Sequence, residues 1–266
     1  MSFYHAFGMV ILAALLGGGS AGLMGFFIIG LRMPFLVIAT AHAALAGAVF
    51  GGFFHLSYIA AGFAGALIGA SLLGWLIRAH KVESNAALGT IFSLMMGLAF
   101  LGIGLSKGPK SAALRLLWGN LLFVTAADLW LMGVVLALLI VFAWMFNKEL
   151  KLLLFSMRLA DVTLPAGLLF TMLLLLEASV ITINLETVGG LLLYSLVTNP
   201  AIAAMKLAKT YASGLLLSAL LGAGSACGGF AMAFLLNLPV GACIVLSSSL
   251  LVAVVLWRQK MTKESV

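Results

Sequence analysis

Apolar positions in this chain come as long unbroken runs, not as the alternation of a strand or the one-sided stripe of a surface helix. Nine runs stand out: Gly8–Leu31, Phe35–Phe53, Leu56–Ile77, Ala86–Leu105, Ala126–Phe146, Leu164–Asn184, Val188–Met205, Tyr211–Leu235 and Val240–Trp257. Each approaches or exceeds the roughly 18 residues that cross a hydrocarbon core as a helix. Helix is the required form, because backbone groups in lipid must be satisfied within their own segment. The pattern therefore predicts an all-α polytopic membrane protein with about nine hydrophobic segments, eight to nine of them spans. A single transmembrane domain covers residues 1–266, and the Asn199-Pro200 pair predicts that the seventh segment is broken or re-entrant.

Composition removes the soluble alternative. Hydrophobic residues make up 64% of the 266, charged residues 8%, and mean hydropathy is +1.27, whereas a soluble domain carries about 25% charged residues. The net charge of +7 is written into the short joints between runs, so it does not point to nucleic acid. Joints taken alternately put Arg32, Arg78, Lys81, Lys148, Lys151, Arg158, Lys206, Lys209, Arg258, Lys260 and Lys263 on one side and only Lys107, Lys110 and Arg115 on the other. The positive-inside rule then predicts an amino terminus outside and a carboxyl terminus in the cytosol. The first run has no Lys or Arg before Arg32, so it is expected to stay in the mature protein and not to act as a cleaved signal. Cys227 and Cys243 fall within apolar runs, which argues against a disulfide framework. No Gly-rich phosphate loop is present, so any ATP must be hydrolysed by another subunit. Glycines crowd Gly17–Gly25, Ala41–Gly47 and Gly222–Gly229, where small residues let helices approach closely.

Two ionisable residues sit deep in runs, His42 in the second and Glu177 in the sixth. Intramembrane ionisable groups mark pathways by default, and a neutral imidazole is a ready transition-metal ligand. His42 and Glu177 are therefore the candidate metal ligands. Met24, Met33, Met95 and Met96 are soft donors, most simply read as core filling. The other acids, Glu83, Asp128, Glu149, Asp161, Glu186 and Glu264, fall in or beside joints, and no catalytic constellation is visible. The joint from Asn147 through Ala160 predicts a short amphipathic helix at the membrane surface, which a partner could push.

Four segments carry a resemblance: Leu31-Arg32-Met33 with His42-Ala43-Ala44-Leu45-Ala46-Gly47; Ala87-Leu88-Gly89-Thr90-Ile91-Phe92-Ser93; Leu117-Trp118-Gly119-Asn120-Leu121-Leu122 with Asp128-Leu129; and Val188-Gly189-Gly190-Leu191-Leu192-Leu193 through Asn199-Pro200-Ala201-Ile202-Ala203-Ala204, followed by Pro239 and Gly241-Ala242. In order and spacing the chain resembles the zinc/manganese/iron permease family of ABC importers. The resemblance implies a type II ABC importer permease fold, a homodimer in a prokaryotic cytoplasmic membrane, a separate cytosolic ATPase that binds ATP, and an extracytoplasmic metal-binding protein that delivers the ion. No tightly bound cofactor is implied, only the transported divalent metal. A pathway through His42, Glu177, Asn199 and Pro200 is expected. The ATPase coupling loop matches Phe155, Ser156, Met157, Arg158, Leu159 and Ala160, where Ser156 replaces the family's Asp but keeps capping ability.

Two positions depart from the family pattern. Ile38 stands where an Asp usually precedes the His by one turn, and Asn85 where an acid opens the fourth span. A relocated carboxylate, Glu177 meeting His42 across the pathway, would restore a ligand pair. A metal chelate or small organic ligand as cargo, or a proton-coupled secondary transporter using Glu177, are the alternatives the residues leave open.

Overall fold

The computed structural model describes residues 3–79, 82–106, 119, 121 and 124–264; of residues 3–6, 78, 79, 158, 186, 191 and 262–264 only the backbone is described. The described chain forms α1 (Phe3–Gly30), α2 (Leu36–Phe53), α3 (Tyr58–Ala79), α4 (Ser84–Leu105), α5 (Ala126–Met145), α6 (Asn147–Phe155), α7 (Met157–Thr163), α8 (Ala166–Thr187), α9 (Gly190–Leu207), α10 (Tyr211–Leu236) and α11 (Val240–Glu264). Eight of these are long and apolar enough to cross a membrane.

α9, the expected seventh span, is the short one: its apolar stretch is Leu192–Leu207. It is not broken. The helix continues through Pro200, although proline cannot donate to the carbonyl four residues back. The Asn199 amide braces the same turn by donating to Ser248 Oγ at 3.1 Å and Ser249 Oγ at 3.2 Å on α11. The expected surface helix is two helices, since Ser156 is extended (φ −160°, ψ 113°) between α6 and α7. α11 continues past Trp257 to Glu264, because a helix leaving lipid can stay helical in water.

Helix starts carry the caps that free N–H groups require. Glu83 accepts from Ala86 N–H at 3.0 Å, and Thr125 with Asp128, and Thr210 with Ser213, form reciprocal capping boxes. Trp75, Trp130, Trp144 and Trp257 are exposed near helix ends, as amphipathic rings at a membrane–water boundary are. One end of the bundle gathers Arg32, Lys148, Lys151, Lys206, Lys209, Arg258 and Lys260; we call it the basic end. There Lys151 lies over the Tyr211 ring, 5.1 Å from its centroid, which pins α6 to the start of α10.

The bundle has two groups of helices. In one, α1 packs on α9 and α10, with α11 against α9 and α10; in the other, α2 packs on α3 and α4. α8 touches α1, α2, α3, α5 and α9 and so bridges the groups. Glycine sets the closest approaches. A methyl group on Gly22 would run into the Ser218 carbonyl, one on Gly222 into the Gly18 carbonyl, and one on Gly65 into the Ala43 carbonyl. Gly189 (φ 93°) opens α9 in a conformation that L side chains avoid, and Gly119 (φ 69°) lies directly against its backbone.

Gly22→Val or Gly222→Val should each lower stability by about 1–3 kcal/mol through overpacking, seen as a lower Tm in detergent. Gly224→Ala, where an added Cβ meets nothing within 4 Å, should leave Tm unchanged.

Candidate functional site

α2 is buried along most of its length, and its two polar residues face different ways. At about 100° per residue, Ile38 and His42 share one face and Thr40 lies on the opposite one. On α4, Asn85, Leu88, Gly89 and Phe92 follow the i, i+3, i+4, i+7 spacing of a single face. These two faces enclose a cavity of about 350 Å³ lined by Phe35, Ile38, Asn85, Leu88, Gly89 and Phe92. It lies at the basic end, because Phe35 immediately precedes α2 and Asn85 is the second residue of α4.

Asn85 is the single polar side chain among these lining residues, and its amide donates to the Glu83 carboxylate at 3.0 Å. The positions where the resembled family carries acids, 38 and 85, therefore meet at one cavity, and both are uncharged in this chain. His42 sits one turn above Ile38 and is 4% exposed. Its Nδ1 lies 2.9 Å from the Ile38 carbonyl oxygen. A carbonyl can only accept, so Nδ1 carries the hydrogen and the Nε2 lone pair is left for a ligand. The Phe92 ring meets the imidazole edge-on, centroids 4.9 Å apart, so the same phenyl group lines the cavity and covers His42.

Glu177 is elsewhere. It lies on α8, 1% exposed, among Leu173, Leu174, Ala178 and Ile181, all buried. Its polar neighbour is Thr40, on the face of α2 that points away from His42. Neither carboxyl oxygen has a hydrogen-bond partner among the described residues. The structure thus sets His42 against Phe92, one turn from the cavity but outside its lining, and Glu177 on α8 with α2 between them. Asn199 and Pro200 belong to the α9–α11 contact and do not line the cavity. No group of three or more His, Cys, Asp or Glu side chains gathers among the described residues, and Met24, Met33 and Met95 are buried in the core.

The segment Phe155–Ala160, expected from the resemblance to be the ATPase coupling loop, lies at the basic end. Ser156 caps α7 by accepting from Leu159 N–H at 3.4 Å. Phe155 is 81% exposed and Val162 84%, with Leu159 half-exposed between them, while Ala160 is fully buried. The Arg158 side chain lies outside the described residues, as do Leu117, Trp118, Asn120 and Leu122 of the third resembling segment.

Sequence reasoning did not single out Phe92 and Thr40. Phe92 lies within the second resembling segment, which falls on the cavity wall, and that was an available signal. Thr40 carries none, since its importance comes from which helix it faces.

The model of the ABC 3 transport family matches residues 4–259. The chain is 29% identical over 241 residues to an uncharacterized membrane protein of Synechocystis sp., covering 90% of this chain and 86% of that one. It is 27% identical over 250 residues to the manganese import system permease protein ScaB of Streptococcus gordonii, covering 93% of this chain and 89% of ScaB. Among solved structures, PsaBC from Streptococcus pneumoniae in complex with Fab superposes with a TM-score of 0.84 at 25% identity, covering 94% of this chain and 91% of that one.

In a chain with Cys227 and Cys243 replaced, Asn85→Cys and Ile38→Cys should react with a charged thiol reagent added from the basic side, and Glu177→Cys should be protected. Equal labelling of all three would contradict the separation of the two sites.

Proposed function

The chain belongs to the ABC 3 transport family, and on that premise we propose that it is the permease subunit of an ATP-binding-cassette importer. Its cargo is a divalent transition-metal ion, manganese foremost, among zinc, manganese and iron. The observation that carries this reading is the α2–α4 cavity beneath His42, whose α4 wall, through Leu88, Gly89 and Phe92, falls on one of the family-like segments. The relative named for manganese import, alike over nine-tenths of the chain, supports the metal and the direction. The basic end faces the cytosol under this reading, which the excess of Lys and Arg there supports.

The ion passes through the cavity and meets the Nε2 lone pair of His42 once the Phe92 ring swings aside. A cytosolic ATPase grips α6–Ser156–α7, where exposed Phe155, Leu159 and Val162 offer an apolar contact and Ser156 caps α7. A metal-binding protein delivers the ion at the opposite end. A second copy of the chain closes the cavity along α4. In support of that, Gly89, Ser93 and Gly97 are exposed at four-residue spacing, nothing stands within 4 Å of a Cβ added at Gly89, Gly97 or Gly104, and Ser93 satisfies its own hydroxyl on Gly89 O at 2.8 Å.

One observation favours a second cargo class. The cavity lining holds four apolar side chains and a single amide, a poor set for a bare hard cation and a better one for a metal chelate or small organic ligand.

Proteoliposomes holding the chain with its ATPase and binding protein should take up radiolabelled manganese in an ATP-dependent way. His42→Ala should lower that uptake by about tenfold or more, the loss of roughly 1.4 kcal/mol of interaction, with Tm unchanged. Uptake of a chelated metal but of no free ion would favour the second cargo class, and no ATP-dependent uptake of either would overturn the permease reading.

A further inference from the structure

We propose that the groove between α3 and α8 at the basic end is a lipid site: it seats one acyl chain of an anionic phospholipid, whose headgroup lies at the Arg78 turn. The inference goes beyond the permease reading and needs only that the chain spans a membrane.

The groove encloses about 370 Å³ and belongs to one half of the bilayer. α3 ends at the basic end and α8 starts there. Toward the opposite end the two helices touch, since a methyl group on Gly62 would meet Thr182 Cγ2 at 3.4 Å. Nearer the basic end the groove lies between them. Ala70, Phe170 and Leu174 are buried in its floor, while Ser71 and Trp75 on one side and Thr171 and Leu175 on the other are exposed along its rims. At 1.5 Å per residue, Ala70 lies roughly 14 Å from the end of α3 at Ala79, within the ~15 Å of hydrocarbon that one leaflet supplies. Trp75 stands one turn from that end, where an indole meets the membrane–water boundary. Thr171 donates its hydroxyl to Gly167 O at 2.8 Å, so apart from Ser71 the walls present alkyl and aromatic surface. An empty groove would forfeit the dispersion contacts of those walls, and in a leaflet the group at hand to supply them is an acyl chain.

Gly74 gives the groove its depth. A Cβ added there meets nothing within 4 Å, whereas one added at Gly65 of the same helix would strike the Ala43 carbonyl. Helix packing therefore accounts for Gly65 and not for Gly74, although glycine is disfavoured inside a helix. A chain lying in the groove accounts for it. The headgroup preference follows from charge. Ser71, Gly74, Trp75 and Arg78 follow the i, i+3, i+4, i+7 spacing of one face, so the stripe that lines the groove runs on to position 78 in the last turn of α3. Around this end of α3 the sequence carries Arg78, Lys81 and Glu83. α7, which packs on α8, adds Arg158 and Asp161. Cations outnumber acids in this set, the sign that favours an anionic headgroup over a zwitterionic one.

Photo-crosslinking of the full chain in vesicles of phosphatidylcholine and phosphatidylglycerol tests this without any transport assay. A phosphatidylglycerol probe with a diazirine on one acyl chain should place more adducts on residues 70–75 and 170–175 than an equivalent phosphatidylcholine probe does. Gly74→Leu fills the groove from a position with open space around it; it should abolish these adducts and leave those on the other helices unchanged. Arg78→Gln should bring labelling by the phosphatidylglycerol probe down to that of the phosphatidylcholine probe. If Gly74→Leu fails to fold, the Arg78→Gln comparison decides. Equal labelling of the wild-type groove by both probes, or adducts there that persist in folded Gly74→Leu or stay undiminished in Arg78→Gln, would overturn the proposal. So would a disulfide between two copies of Trp75→Cys in a chain with Cys227 and Cys243 replaced, since the groove would then be a contact between copies. Failure of metal uptake by the wild type would instead count against the permease reading and leave the crosslinking result standing.

Discussion

Lipid offers a protein no hydrogen bonds, and nearly every feature of this structure follows from that constraint. The backbone closes on itself in helices because nothing outside can satisfy it. Hydroxyls at membrane depth turn back on their own chains: Thr171 bonds Gly167 O at 2.8 Å, Ser179 bonds Leu175 O at 2.9 Å and Thr198 bonds Tyr194 O at 2.8 Å. An amide can do both, as Asn184 does by donating to Val180 O of its own helix and, across to α1, to Ser20 Oγ. The missing Cβ of Gly17 makes the room that the Asn184 amide occupies. Apolar side chains gain little by leaving lipid for each other. Close backbone contact between α1 and α10, through Gly18 and Gly22 on one and Ser218 and Gly222 on the other, takes over the part that the hydrophobic effect plays in water.

Against that background α2 is the organising helix. One of its faces carries Ile38 and His42 toward α4 and a cavity; the other carries Thr40 toward Glu177. The imidazole is fixed by the carbonyl of its own preceding turn and by the Phe92 ring, so its orientation depends on the rotation of the whole helix. Alternating access requires two packings that differ by only a few kcal/mol. A helix that walls a cavity with one face and packs on α8 with another is suited to such a change, since turning it alters both at once. In the proposed importer α6 and α7 are the lever at the basic end, where Phe155, Leu159 and Val162 offer apolar surface.

Much of this was legible in the sequence. Long apolar runs specified the helices because length and hydropathy alone decide insertion, and the segment Ala87–Ser93 marked the α4 wall of the cavity before its shape was known. Other features were not. Asn199-Pro200 looked like a break, but the bracing from Ser248 and Ser249 comes from a distant part of the chain and belongs to tertiary structure. Ser156 splits the surface segment into two helices, a matter of one extended residue that periodicity over so short a stretch does not resolve. His42 and Glu177 looked like a pair because both are polar in apolar surroundings. Spacing along a chain says nothing about which side of a third helix each one occupies.

The central claim is that cargo passes on the His42 face of α2, toward α4, and not through the α2–α8 contact where Glu177 lies. Anomalous scattering from crystals of the assembled transporter soaked in manganese tests it most directly. The account predicts a peak between α2 and α4, within coordination distance of His42 Nε2. A peak at the Glu177 carboxyl, with none beside His42, would contradict it.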